Sequence, residues 1–228
     1  MSFIRKNYLL LAAGLLILTA ITSCSKADKT YYDYKNTAGT FKGTTYEYLT
    51  AQTGLYDSLL FVASRLTGVT NVLKAGNITL FAANNRSFEL ALFNINQARK
   101  DSIPAMPQLS LATIDSAVLD TFFCRYIIPG LQHTDSLKGF TDGKLYASFR
   151  YDYNMQLQYV ATNASGFLGG GPKTITFSDP RNSIFTRNWV RVNTITVDIK
   201  TTNGIVHLLP AGHDFGFGND FIKRVNKR

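Results

Sequence analysis

The stretch that decides the fold is TTNGIVHLLP, from Thr201 to Pro210. Within it, the pair Asn203-Gly204 separates the apolar run IVHLLP from a preceding one, TITVDIK, and such a pair is typical of a tight turn between two strands. We therefore expect a hairpin in which Gly204 has a positive φ. Alternate side chains of the second strand should share one face: Ile205, His207 and Leu209.

The histidine in this strand could serve either chemistry or structure. A neutral imidazole donates one hydrogen bond and accepts one, so a buried His207 could join its strand to a neighbouring loop. The chain has no G-x-S-x-G elbow, and its three histidines lack a metal-binding spacing such as H-E-x-x-H. We interpret His207 as structural and Asp198 as an acceptor of backbone hydrogen bonds near the turn. We predict no catalytic residue, no metal and no cofactor.

The C-terminal half reads as a series of strands. LYASFRYD, MQLQYVAT and KTITFSD are short segments with alternating apolar residues. WVRVNTITVDIK alternates twice, but Val190 and Val192 fall on one parity while Ile195, Val197 and Ile199 fall on the other. This change of phase predicts a turn or bulge at Asn193-Thr194.

The N-terminal half shows helical spacing instead. Two helices are predicted on either side of Thr53-Gly54, and VTNVLKAG predicts a third that ends at Gly76. NITLFAAN reads as a strand, and a helix capped by Asn84 or Asn85 follows it. A last helix is predicted over LATIDSAVLDTFFCRY, up to a break at IIPG. Helices followed by strands indicate an α+β fold with the helices packed on a sheet or wedge.

The first residues are typical of a secretory signal. Arg5 and Lys6 precede an uncharged apolar run, which ends in small residues before Cys24. The ending Ile-Thr-Ser-Cys resembles the lipobox of bacterial lipoproteins, in which the cysteine is acylated. We expect a signal peptide at 1–23, a tether at 24–42, and attachment to the membrane through a lipid on Cys24.

The composition is that of a globular protein with a basic surface. Hydrophobic residues make up 45% of the chain, which allows a sizeable core. Removing Arg5 and Lys6 with the signal leaves 22 of the 24 basic residues against 15 acidic ones, a net charge of +7. The basic residues are scattered except for a small cluster at Lys223, Arg224, Lys227 and Arg228. No nucleic-acid partner is expected from this pattern.

Three stretches resemble the fasciclin domain family. ITLFAANNRSF resembles the first signature of that family, and DIKTTNGIVHLL resembles the second. FFCRYIIPG lies between them, where the family has a Tyr-His pair before a Pro-Gly. The resemblance implies one fasciclin domain over 43–227. Its motif residues are implied to be structural: Thr79, Phe81, Asn84, Phe88, Asp198, Asn203, Gly204 and His207.

The resemblance also implies a role in binding or adhesion without catalysis. Arg125-Tyr126 replaces the family's Tyr-His in a region associated with integrin adhesion, so integrin binding is not implied. We place the candidate contact surface around Arg125 and Tyr126 and around Phe167 and Leu168 of the loop GFLGGGP, because loops carry function more often than cores.

We therefore expect a lipid-anchored protein of the cell envelope. Its expected location is the outer membrane, with possible exposure at the cell surface, and its partner is an extracellular protein or polysaccharide. One alternative is a glycan-capture lipoprotein that works beside an outer-membrane uptake system. The other is a hydrolase whose site the sequence does not reveal.

Overall fold

In the computed structural model, the described residues are 39–164 and 169–227. Within them the α-helices are α1 (Thr45–Ala51), α2 (Asp57–Arg65), α3 (Val69–Ala75), α4 (Asn85–Lys100), α5 (Ser116–Phe123), α6 (Thr134–Leu137) and α7 (Asn219–Val225). The strands are β1 (Ile78–Ala82), β2 (Ile127–Pro129), β3 (Lys144–Ala147), β4 (Asn154–Ala161), β5 (Lys173–Asp179), β6 (Val190–Asn193), β7 (Thr196–Lys200) and β8 (Gly204–Leu208). Helices lie mainly in the N-terminal half and strands mainly in the C-terminal half, which confirms the predicted α+β class.

The strands form two four-stranded sheets. The first has the order β2-β1-β8-β7, with β1 parallel to β8 and the other neighbours antiparallel. The second is an antiparallel meander with the order β3-β4-β5-β6. The strand predicted from TTNGIVHLLP is therefore central in its sheet, between β1 and the strand that precedes it in the chain.

The two sheets meet through aromatic side chains in one core. Phe81 of β1 stacks on Phe177 of β5 with 3.9 Å between ring centroids, and both rings are fully buried. Tyr126 and Phe217 add further rings around Phe177. Aromatic burial on this scale contributes strongly to stability, because each ring removes a large apolar area from water.

Side-chain caps fix where several helices begin. Thr44 and Glu47 form a capping box at α1, in which each side chain accepts from the other residue's backbone N–H. Asn84 caps α4 by accepting from the N–H of Ser87 at 3.2 Å, as predicted, while Asn85 is the first helical residue.

No helix in the described ranges has both the length and the hydrophobicity needed to cross a bilayer.

Two predicted elements differ from the structure. The helix expected over 111–126 begins only at Ser116, because Asp115 caps it by accepting from the N–H groups of Ala117 and Val118. The segment expected to break that helix is strand β2, which pairs with β1. A three-residue strand that ends in proline gives no alternation from which it could be predicted.

The predicted change of phase also differs in part from the structure. β6 and β7 belong to different sheets and separate after Asn193, as the phase slip indicated. However, Ile195 is 63% exposed and does not share the buried face of Val197 and Ile199. Phe41 donates its N–H to the Lys200 carbonyl at 2.8 Å, so the chain already contacts β7 just before residue 43.

Candidate functional site

The turn at Asn203 ties the central hairpin to the helices. The Asn203 side-chain oxygen accepts from the N–H of Thr45 at 2.8 Å, at the start of α1. Its amide nitrogen donates to the carbonyls of Gly76 at 2.9 Å and Leu73 at 3.2 Å, at the end of α3. One side chain thus satisfies backbone groups at two helix ends, which would otherwise lack partners.

Gly204 is required for a reason other than the one expected. Its φ is not positive, so the prediction of a left-handed turn residue is wrong. A Cβ at this position would instead lie 2.7 Å from the carbonyl oxygen of Ile78 and 2.7 Å from Oγ1 of Thr45. The parallel pairing of β1 with β8 brings Ile78 directly opposite Gly204, which leaves no room for a side chain.

Replacing Gly204 with valine should lower the free energy of unfolding by about 1–3 kcal/mol, because the added atoms overpack a backbone contact. Thermal unfolding of the variant measures the effect. Gly139→Val is the matched control, since a Cβ at Gly139 meets nothing within 4 Å. Equal melting temperatures for the two variants would contradict the close approach at Gly204.

His207 is buried and uses both ring nitrogens within the fold. Its Nδ1 accepts from the N–H of Asp198 at 3.1 Å, and its Nε2 donates to the carbonyl of Gln132 at 3.0 Å. The ring is 0% exposed, and burial lowers the pKa of His207 to about 4. The imidazole is therefore neutral at pH 7 and connects β8 to β7 and to the loop before α6.

Asp198 lies in a bulge of β7, where its φ is 61°. Its carboxylate accepts from the N–H of Thr134 at 2.9 Å and from the Thr134 hydroxyl. The backbone donor is thus at the start of α6 and not at the Asn203-Gly204 turn, which corrects that expectation. Thr79 holds the preceding loop, donating to the Gly130 carbonyl and accepting from the Gln132 N–H, both at 2.8 Å.

Two of the remaining motif residues lie in the core. Phe81 stacks on Phe177, and Phe88 stacks on Phe215 with 4.3 Å between centroids. The third, Asn84, forms the cap of α4. The motif residues therefore position strands and helices and leave no group free for chemistry at this place.

The structure does not present Tyr126 as a contact residue. Its side chain is 2% exposed. Its hydroxyl accepts from the N–H of Gly216 at 2.8 Å and is hydrogen-bonded to Nε2 of His213 at 2.7 Å. Burial raises the pKa of Tyr126 well above its usual value. The expectation that Tyr126 belongs to a contact surface is therefore corrected.

Arg125 is also largely buried, at 7% exposure, but it reaches the wall of a pocket. Its Nη1 donates to Asp179 at 2.7 Å, and its guanidinium carbon lies 4.1 Å from the ring centroid of Phe122 and 3.8 Å from that of Tyr153. The Tyr153 hydroxyl and the N–H of Arg181 donate to the same carboxylate. The expected exposed arginine is thus a guanidinium clamped between two rings and an acid.

The pocket beside Arg125 has a volume of about 470 Å³. Five segments contribute to its lining: Thr121, Phe122 and Arg125 from α5 and the turn after it, Tyr153 before β4, Asn182 after β5, Asp220, Lys223 and Arg224 from α7, and Lys227 beyond it. Four of these side chains are cationic and one is acidic. We name this site the basic pocket.

Most residues of the basic pocket were not predicted as a site. The sequence shows the cluster at Lys223, Arg224 and Lys227, and it shows Arg125 at a departure from the fasciclin pattern. Nothing in the sequence indicates that Asp179 pairs with an arginine 54 positions earlier. The cationic cluster was the available signal, but the pocket arises only when the fold brings α7 beside α5.

Two other potentially reactive groups, Cys124 and His213, are buried. Cys124 is 0% exposed, and burial raises the pKa of its thiol to about 12, so it stays protonated at neutral pH. Burial lowers the pKa of His213 to about 4. Across residues 39–164 and 169–227, no group of three or more metal-ligating side chains could hold an ion. Cys24, Phe167 and Leu168 lie outside the described residues.

Comparison with known proteins finds a structural match and no match to a family model or a curated protein. The sequence matches no known family, and no curated protein matches it. A solved structure that matches is described as "Novel Fold Revealed by the Structure of a FAS1 Domain Pair from the Insect Cell Adhesion Molecule Fasciclin I". The identity is 15% and the TM-score is 0.40, over 75% of this chain and 44% of that one. The chain therefore spans less than half the length of that protein chain.

Proposed function

We propose that the protein is a lipid-anchored component of the cell envelope, with a single fasciclin-like domain that binds an extracellular polysaccharide or protein without altering it. The observation that carries the binding role is the basic pocket, a concave site of the size that ligands occupy. The placement of the two fasciclin-like stretches supports the domain assignment, since they supply β1 with α4 and β7 with β8.

The non-enzymatic part of the proposal is supported by how the histidines are used. A general base must reach the proton it abstracts. His207 is fully buried with both nitrogens engaged, and His213 is 6% exposed and bonded to Tyr126. Two of the three histidines, residues that a hydrolase could use as general bases, thus contribute to the fold.

The binding role is tested with the complete mature chain, carrying Cys24→Ser so that it stays soluble, and a panel of extracellular polysaccharides and envelope proteins. We expect saturable binding that weakens between low and physiological salt, as the Debye length falls from about 30 Å to about 8 Å. Size-exclusion chromatography of the partner before and after incubation should give the same mass. A shortened polysaccharide would contradict binding without turnover.

The anchor is a separate prediction. Cys24→Ala should leave unprocessed precursor or release the protein from the membrane fraction, because stable attachment needs more than one acyl chain on the cysteine. Cell fractionation and the intact mass of the mature N-terminus measure the outcome. Unchanged fractionation together with no lipid mass on the wild-type N-terminus would rule out the anchor and leave the binding role standing.

A further inference from the structure

Three of the four cations that line the basic pocket form no ion pair with an acid within the described residues. Asp179 pairs with Arg125, and Asp220 lies 3.4 Å from Nε of Arg181. Lys223, Arg224 and Lys227 are exposed and form no ion pair within the described part of the chain. Lys223, Arg224 and Lys227 line the same pocket, so their like charges repel one another. A bound anion would relieve that repulsion.

Arg125 adds hydrogen-bond donors that are held in a fixed position in the basic pocket. The two flanking rings and the Asp179 carboxylate hold the guanidinium in one position. An arginine carries five N–H donors, and within the described residues Arg125 uses one of them, while its buried Nε has no partner. Donors that are held in place before binding cost little ordering when a ligand arrives.

The neutral and acidic lining residues narrow the class of ligand. Asn182 makes no side-chain hydrogen bond within the described residues, and an amide can both donate to and accept from a hydroxyl. The Asp220 side chain is 43% exposed and can accept a hydrogen bond from a hydroxyl, although it would repel a second negative group. Phe122 and Tyr153 supply apolar surface. A ligand with one acid group, several hydroxyls and apolar C–H faces would match the cationic, hydrogen-bonding and apolar side chains of the pocket. An acidic sugar has that chemistry.

We propose that the basic pocket binds an acidic saccharide, whose carboxylate or sulfate lies among Lys223, Arg224 and Arg125 and whose hydroxyls meet Asn182 and Asp220. The proposal rests on the binding function proposed above and names the partner of that same site.

The test is calorimetry on the complete mature chain with Cys24→Ser. The probes are an oligogalacturonate, its fully methyl-esterified form, a sulfated oligosaccharide of equal length and an acidic peptide. We expect the methyl ester to bind at least about tenfold more weakly than the free acid, because esterification removes the charge and keeps the sugar. Affinity for either acidic saccharide supports the proposal, and their ratio distinguishes carboxylate from sulfate.

Variants locate the binding. K223Q/R224Q should weaken binding of the acidic saccharide by about tenfold, since two ion pairs are lost. K42Q/K200Q removes the same charge at two exposed positions outside the pocket and should change affinity less than about twofold. Arg125→Lys keeps the charge and loses the planar fork, so it should weaken binding as well. A melting temperature equal to that of the wild type would show that K223Q/R224Q is folded.

Three results would overturn the proposal: no acidic saccharide that binds more tightly than the methyl ester, unchanged affinity for the acidic saccharide in K223Q/R224Q, or binding of the peptide and of no saccharide. If another saccharide or protein still binds the wild type in the wider panel, the proposed function stands and only the pocket assignment fails. If nothing in that panel binds, the proposed function fails too.

Discussion

Arg125→Met should lower the free energy of unfolding by about 3–5 kcal/mol, because it leaves the buried carboxylate of Asp179 without its cation. The Asp179 side chain is 0% exposed and that of Arg125 is 9% exposed, so water cannot replace the lost partner. Tyr153 and the N–H of Arg181 still donate to the carboxylate, but neither carries the opposite charge at that site. Urea denaturation followed by circular dichroism measures the change.

Two comparisons make this prediction specific. Arg86→Met removes an arginine whose ion pair with Glu89 is 70% and 60% exposed, so its cost should stay below about 1 kcal/mol. R125M/D179N should cost less than the sum of the two single variants, because it removes the charge on both sides. An Arg125→Met protein as stable as Arg86→Met would mean that the buried pair does not stabilise the fold.

The second large effect is a loss of stability in acid. Burial lowers the pKa of His207 and of His213 to about 4, whereas an unfolded histidine has a pKa of about 6.5. Above pH 6.5 the two histidines are neutral in both the folded and the unfolded state, so they do not change the stability. Between about 6.5 and 4 the unfolded chain binds a proton that the folded chain does not, so stability falls with falling pH. The loss reaches about 3 kcal/mol for each histidine near pH 4.

Urea unfolding midpoints measured from about pH 7 down to pH 4 test this dependence of stability on pH. Burial raises the pKa of Asp214, which acts in the opposite direction because the folded state then takes up its proton first. His213→Gln removes one of the two buried imidazoles and should flatten the slope, even though the variant is less stable at pH 7. His133→Gln, at a side chain 34% exposed, is the matched loss of a histidine. If stability fell equally steeply with falling pH in the wild type and in His213→Gln, the buried His213 would not be a cause of the acid destabilisation.

The parts of the fold that local sequence dictates were predictable. β4, β5 and α4 follow from alternation, helical spacing and an asparagine cap, because these signals lie within one segment. β2 was missed because three residues carry no period. Gly204 was identified as a necessary glycine, but its reason is contact with Ile78 across the sheet, which turn chemistry cannot reveal.

The candidate site was predictable only in fragments. The sequence drew attention to Arg125 and to the basic residues near the C-terminus, yet gave no reason to join them. Their meeting depends on α7 packing beside α5 and on Asp179 holding the guanidinium at the pocket wall. Tyr126 is adjacent to Arg125 in the chain, but its ring turns into the aromatic core, so neighbours in sequence have separate roles.

The position of β8 has a consequence for how the protein is made. Among the strands of the described residues, β8 is the last in sequence order, and β1, its parallel partner in the middle of the first sheet, is the first. During synthesis β1 is therefore made long before β8, and contacts between such distant segments form slowly. A nascent chain that stops short of residue 204 has no centre for this sheet. The first sheet is thus completed only after β8 has been synthesised.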